Sequence, residues 1–177
     1  MSWKYILKAP IWEAPNISPD ARIWAASIKM PDLKGMVFPQ SDKAMKPRGV
    51  WYGFGDNWLM KIEENYPAFS NRYKYVFEIE VTGNILKLET EEEHKEFYKK
   101  YGTEDITYRI DWPVVKDHYD GIEVMGGALH GKSLWDDDLD WLFTWEIDSG
   151  CIWNMNSFKI VKKIFDNEDP KWEQVEE

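Results

Sequence analysis

Two carboxylates two residues apart, Glu146 and Asp148, lie in TWEIDSGCIWN with a Ser-Gly turn behind them. On a strand, residues i and i+2 share a face. Acids held that close repel each other, which raises the proton affinity of one and suits general acid–base work. The same pair also fits a solvent-facing turn. Cys151 follows between Gly150 and Ile152, a setting better suited to an inert core thiol than to a nucleophile. A second segment, KPRGVWYGFGDNW over 46–58, offers binding chemistry. Lys46 and Arg48 carry charge for an anion. Trp51 and Tyr52 present flat apolar faces, and Gly53 and Gly55 let a ligand approach the backbone. An aromatic core strand with a tight turn accounts for the same residues. The run Asp136, Asp137, Asp138 and Asp140 reads as a solvated loop, or as a surface for a cation or a basic partner.

These groups need elements to hold them. WKYILK over 3–8 alternates as a strand. Ser18 and Pro19 open a helix whose stripe is Ile23, Ala26 and Met30. Residues 31–48 read as an irregular loop, basic through Lys34, Lys43, Lys46 and Arg48, and so a partner for an anionic ligand. Strands are expected at 49–54, 73–81, 85–88, 121–125, 142–147, 151–153 and 158–164. Asp56 opens a helix ended by Pro67. Thr90 with Glu93 forms a capping box before a second, closed by Gly102. Asp111 with Pro113 starts a third. Short strands with few helices do not make a regular βαβ alternation. The expected class is α+β, a mixed and mostly antiparallel sheet. One domain over 1–165 is expected, followed by an acidic tail over 166–177.

Charge sharpens the picture. The 177 residues carry a net −10, which argues against a module that works by neutralising phosphates of a nucleic acid. Residues 136–148 hold six acids and no Lys or Arg, and 165–177 hold six acids and one Lys. The remainder is close to neutral. Eleven Trp, nine Tyr and eight Phe make 16% of the chain aromatic, a composition suited to a packed core. A single Cys excludes an intramolecular disulfide and fits a reducing, cytoplasmic setting. No apolar run approaches the roughly 18 residues of a membrane span. Three separated His and one Cys do not make a structural zinc motif, so no metal is expected.

The order of pieces is informative. A "Gly-apolar-aromatic" strand (GVWYGF), a long YKYVFEIEV strand followed by N-I-L, and a YDGIEV strand before an acidic segment resemble the ADP-ribosyltransferase-like fold, in its small, divergent toxin and phage-effector branch. The resemblance spans roughly residues 3–164. It implies transfer of ADP-ribose from NAD to a macromolecular acceptor, protein or nucleic acid. It implies a late carboxylate that orients the nicotinamide ribose and faces the charge developing on the anomeric carbon. That role falls on Glu146, with Asp148 second. It places Trp51, Tyr52 and Gly53 at the ligand wall and Lys46 and Arg48 at the pyrophosphate. Family members carry an Arg or His on the first strand. The 3–8 strand has Lys4 and Lys8, so Lys8 takes that place. A Ser-Thr-Ser pattern on the middle strand is replaced by Tyr52-Gly53-Phe54. The alternative is a non-enzymatic, inhibitor-like protein whose 136–148 loop meets a basic partner.

Overall fold

The strongest alternation in the chain becomes its longest central strand. Phe77 and Ile79 of β4 (Tyr75–Val81) are buried on one face, and Val76 on the other. In the computed structural model, which describes residues 3–7, 17–27, 32–65, 75–166 and 172–176, β4 belongs to a seven-stranded sheet of order β5-β6-β7-β3-β2-β4-β8. The other strands are β2 (Arg22–Ala26), β3 (Val50–Phe54), β5 (Ile85–Leu88), β6 (Gly121–Val124), β7 (Ser149–Ile152) and β8 (Phe158–Asp166). Only β5 and β6 run parallel; the other five pairs are antiparallel. The class is α+β with a mixed sheet. β1 (Trp3–Leu7) lies outside it and pairs antiparallel with β9 (Trp172–Glu176), so part of the expected tail is a strand.

The helix expected from Ser18 is corrected. Ser18–Ala21 is a turn, with Ala21 N–H on the Ser18 carbonyl at 3.0 Å, and Arg22–Ala26 is a strand. Both edges of β2 are paired, by β3 and by β4, and its side chains alternate: Ile23 and Ala25 go to one face, Arg22 and Trp24 to the other. Ladder pairing on two sides outweighs the weak helical spacing of Ile23 and Ala26. Met30 lies outside the described residues.

The strand expected over 142–147 is also corrected. Asp140–Thr144 is a 3₁₀ turn, and the strand begins at Ser149. Trp141, Leu142 and Trp145 are buried together at a helical spacing, and Trp145 N–H reaches the Leu142 carbonyl at 2.7 Å. Two further 3₁₀ turns, Gly127–Leu129 and Lys132–Leu134, wind the same segment.

Three α-helices stand among the described residues: α1 (Asn57–Asn65), α2 (Glu91–Tyr101) and α3 (Trp112–His118). The Thr90–Glu93 capping box opens α2, and Asp111 caps α3 through the Val114 N–H. Gly102 closes α2 with φ −68°. Its need for glycine is spatial, because a Cβ there would sit 2.4 Å from the Tyr98 carbonyl oxygen. Helices and 3₁₀ turns cover one face of the sheet, where Phe97, Trp112, Trp141 and Trp145 pack on Ile122, Val124 and Cys151. The opposite face carries Val50, Tyr52, Phe77, Ile79 and Ile152. No helix among the described residues is long and apolar enough to cross a membrane.

Candidate functional site

Strand β6 reads Gly-Ile-Glu-Val. Period-two alternation sends Ile122 and Val124 to the helical face and Glu123 to the opposite one. Glu123 is only 2% exposed, and a buried carboxylate needs partners. Its Oε1 accepts from Arg22 Nε at 2.5 Å and from the Tyr52 hydroxyl at 2.8 Å. Its Oε2 lies 3.7 Å from Lys87 Nζ. Four strands, β5, β6, β3 and β2, each contribute one charged or polar group to this row.

Register explains the convergence. Glu123 is opposite Gly150, and Gly150 is opposite Tyr52. A Cβ at Gly150 would lie 2.2 Å from Tyr52 Cζ and 2.4 Å from its hydroxyl oxygen. The ring therefore crosses β7 over the missing side chain and reaches a carboxylate two strands away. Arg22 pairs with Phe54 in register, and its guanidinium stands 5.9 Å from the Phe54 ring centroid. The Glu123 hydrogen bond raises the Arg22 pKa against the cost of burial. Burial, then the Glu123 charge, pushes the Tyr52 phenol well above its ordinary value, so it stays a donor. The row reaches solvent through Arg22 and Lys87, whose side chains are 26% and 54% exposed.

The residues singled out in the sequence divide between the two faces. Tyr52 joins Arg22 and Glu123. Trp51 points the other way, onto Trp145 with ring centroids 4.9 Å apart. Lys46 sits by both rings, its Nζ 4.7 Å from Trp51 and 5.3 Å from Trp145. Burial lowers its pKa, against the opposing pull of Glu146. Glu146 Oε2 pairs with Lys61 Nζ at 2.7 Å, which holds its pKa below the usual carboxylate value. Trp51 and Tyr52 thus cannot line one wall. Glu146 and Asp148 do not share a strand face, because residues 145–148 are irregular. Asp148 Oδ1 instead accepts the Gly127 N–H at 2.9 Å, tying the 3₁₀ segment to the start of β7. Arg48 is exposed, and its backbone is bracketed by the Gln40 amide at 2.9 and 2.7 Å. Gly53 is buried beneath α1, where a Cβ would meet Trp58 Cβ at 2.7 Å. Lys8 lies outside the described residues. Asp120, before β6, accepts from Asn84 N–H and Asn154 Nδ2, a purely tying role.

Arg22 and Glu123 were not singled out in the sequence. For Glu123 a signal existed: a lone acid between Ile122 and Val124 in a strand bounded by glycine. For Arg22 the local reading as a helix hid it.

Comparison with known proteins finds no matching family model, no matching curated protein and no matching solved structure. Among the described residues no group of three or more His, Cys, Asp or Glu is placed to hold a metal.

Proposed function

We propose that the chain is an ADP-ribosyltransferase-like enzyme that uses NAD as its ADP-ribose donor, working through Arg22, Tyr52 and Glu123. The observation that carries this reading is their convergence on one sheet face. The resemblance calls for a cation on the first strand, a polar pattern on the middle strand and a late acid. β1 stands outside the main sheet, and the first strand within it, β2, carries Arg22. Tyr52 is on β3, at the centre of the sheet, and Glu123 comes later in the chain. The carboxylate assigned here is Glu123 rather than Glu146, because Tyr52 and Glu146 lie on opposite sides of the sheet.

Each group has a role set by its chemistry. The Arg22 guanidinium takes a pyrophosphate oxygen in place of Glu123. The Tyr52 hydroxyl keeps hold of Glu123 Oε1, so the carboxylate stays oriented when Arg22 turns to the ligand. Glu123 then faces the anomeric carbon. The bond from C1′ to the pyridinium nitrogen breaks, and its electron pair leaves with neutral nicotinamide. Positive charge builds on C1′ next to the carboxylate. An acceptor nucleophile bonds to C1′, and its proton passes to Glu123. In incubations with NAD, Glu123→Gln should lower nicotinamide release by about 100-fold or more with the fold retained. Equal turnover in Glu123→Gln would remove Glu123 from this role.

A further inference from the structure

On the helical side of the sheet, away from Glu123, a cleft of about 280 Å³ is lined by Met45, Ile106, Arg109, Leu134, Trp141 and Phe143. Its apolar walls are open to water: Met45 is 49% exposed, Phe143 54%, Leu134 59% and Ile106 81%, with neighbouring Trp135 at 88%. Single exposed apolar residues are ordinary, but five gathered around one concavity mark a contact surface.

The exposure is built in. Ile106 sits at the tip of a turn closed by Asp105 Oδ1, which accepts from the Thr107 and Tyr108 N–H groups at 2.7 and 3.1 Å. The Thr103 hydroxyl closes the same turn on the Tyr108 carbonyl at 2.5 Å. An Arg109–Asp140 ion pair ties that turn to the 3₁₀ helix bearing Trp141 and Phe143. Trp141 is 3% exposed, yet its indole N–H has no partner among the described residues, and neither has the Thr144 hydroxyl beside it.

The rim is acidic. Asp136, Asp137, Asp138 and Asp140 connect Leu134 to Trp141 with no Lys or Arg between 133 and 144, and Glu104 and Asp105 precede Ile106. The cations nearby are largely engaged: Lys95 with Asp136 and Glu91, Lys132 with Glu91, Arg109 with Asp140. Lys43 lies near Asp105, and Lys46 stands over its two Trp rings. No ion pair engages Asp137, Asp138 or Glu104 among the described residues.

We infer that this cleft docks a segment of a partner protein in which apolar side chains are flanked by Lys or Arg. The apolar side chains fill the concavity, against the Trp141 ring at its wall, and the flanking cations meet Asp137, Asp138 and Glu104. The inference does not depend on NAD chemistry, which is proposed for the other face of the sheet.

The test is a titration of the ¹⁵N-labelled protein with acetyl-Lys-Arg-Leu-Phe-Arg-Lys-amide, read by NMR at the Trp141 and Trp135 indole signals. Binding should be tighter than about 1 mM and should weaken by about tenfold between roughly 50 and 500 mM salt. A peptide with Ser-Ser at its centre, and one with Glu for every Lys and Arg, should each bind about tenfold more weakly or not at all. Leu134→Ser with Phe143→Ser, and Asp137→Asn with Asp138→Asn, alter exposed positions, apart from the half-buried Asp138, and should weaken binding by a similar factor. No shift at roughly 5 mM peptide overturns the inference. So does equal binding of either control peptide, or unchanged binding by both double variants. Self-association of the protein that disappears in Leu134→Ser would overturn it in favour of a second copy of the chain.

Discussion

Glu123 is the residue on which the account turns. A carboxylate at 2% exposure is stable there because Arg22 and Tyr52 both donate to it. Removing a partner from a buried charge costs more than the pair contributes. Arg22→Ala should therefore cost about 2–3 kcal/mol, below the figure for a fully buried pair because Arg22 is partly exposed and Lys87 remains. Adding Glu123→Gln should recover part of that loss, and urea melts of the wild-type protein and the three variants of a double-mutant cycle check it. His94 makes a different prediction. Its ring is fully buried, its Nδ1–H donates to the Thr90 carbonyl at 2.5 Å, and its Nε2 is unpartnered among the described residues. Burial lowers its pKa, against the raising effects of Thr90, Glu93 and Asp148. The unfolded chain binds a proton near pH 6.5 that the folded chain refuses. Stability from this group is present above about pH 6.5 and is lost as pH falls toward the lower folded pKa. Urea melts at decreasing pH should show that slope, and His94→Phe, which keeps the stacking on Trp141, should flatten it. Neither Arg22 nor Glu123 was legible as a pair. Their meeting depends on the registers of β6, β7, β3 and β2, and no local spacing encodes four strands at once.

Elements were legible where they carry their own signal. YKYVFEIEV alternates over nine residues, and Tyr75–Val81 within it is β4; Thr90 and Glu93 spell a capping box and open α2. RIWAA is five residues long, too short for its alternation to outweigh Ser18-Pro19 ahead of it, and only the flanking β3 and β4 make it a strand. LFTWEI looks extended, yet burial of Trp141, Leu142 and Trp145 against the helices winds its first half into a 3₁₀ turn and leaves the rest irregular. The clearest test at this scale is Gly150. Its role is to leave room on β7 for the Tyr52 ring. Gly150→Ala places a methyl 2.2 Å from Tyr52 Cζ, so the ring must move and its hydroxyl must leave Glu123. The expected loss is about 1–3 kcal/mol, read by urea denaturation, and the Tyr52–Glu123 contact should break in a crystal structure of the variant.

One sheet separates the two proposed sites. The −10 net charge, taken alone, argues against an anionic ligand, but much of it lies in 136–148 and the C-terminal segment. The 136–140 part of it rims the apolar cleft, while the opposite face offers Arg22 and Lys87 beside Glu123. A dinucleotide and a basic partner segment would then occupy separate sides. The central claim is the first of these, and incubation with millimolar NAD tests it most directly, with bound nucleotide and released nicotinamide measured together. Nucleotide binding and nicotinamide release are expected, with release falling by about 100-fold or more in Glu123→Gln. Neither binding nor release at millimolar NAD, in a protein that is folded, would contradict it.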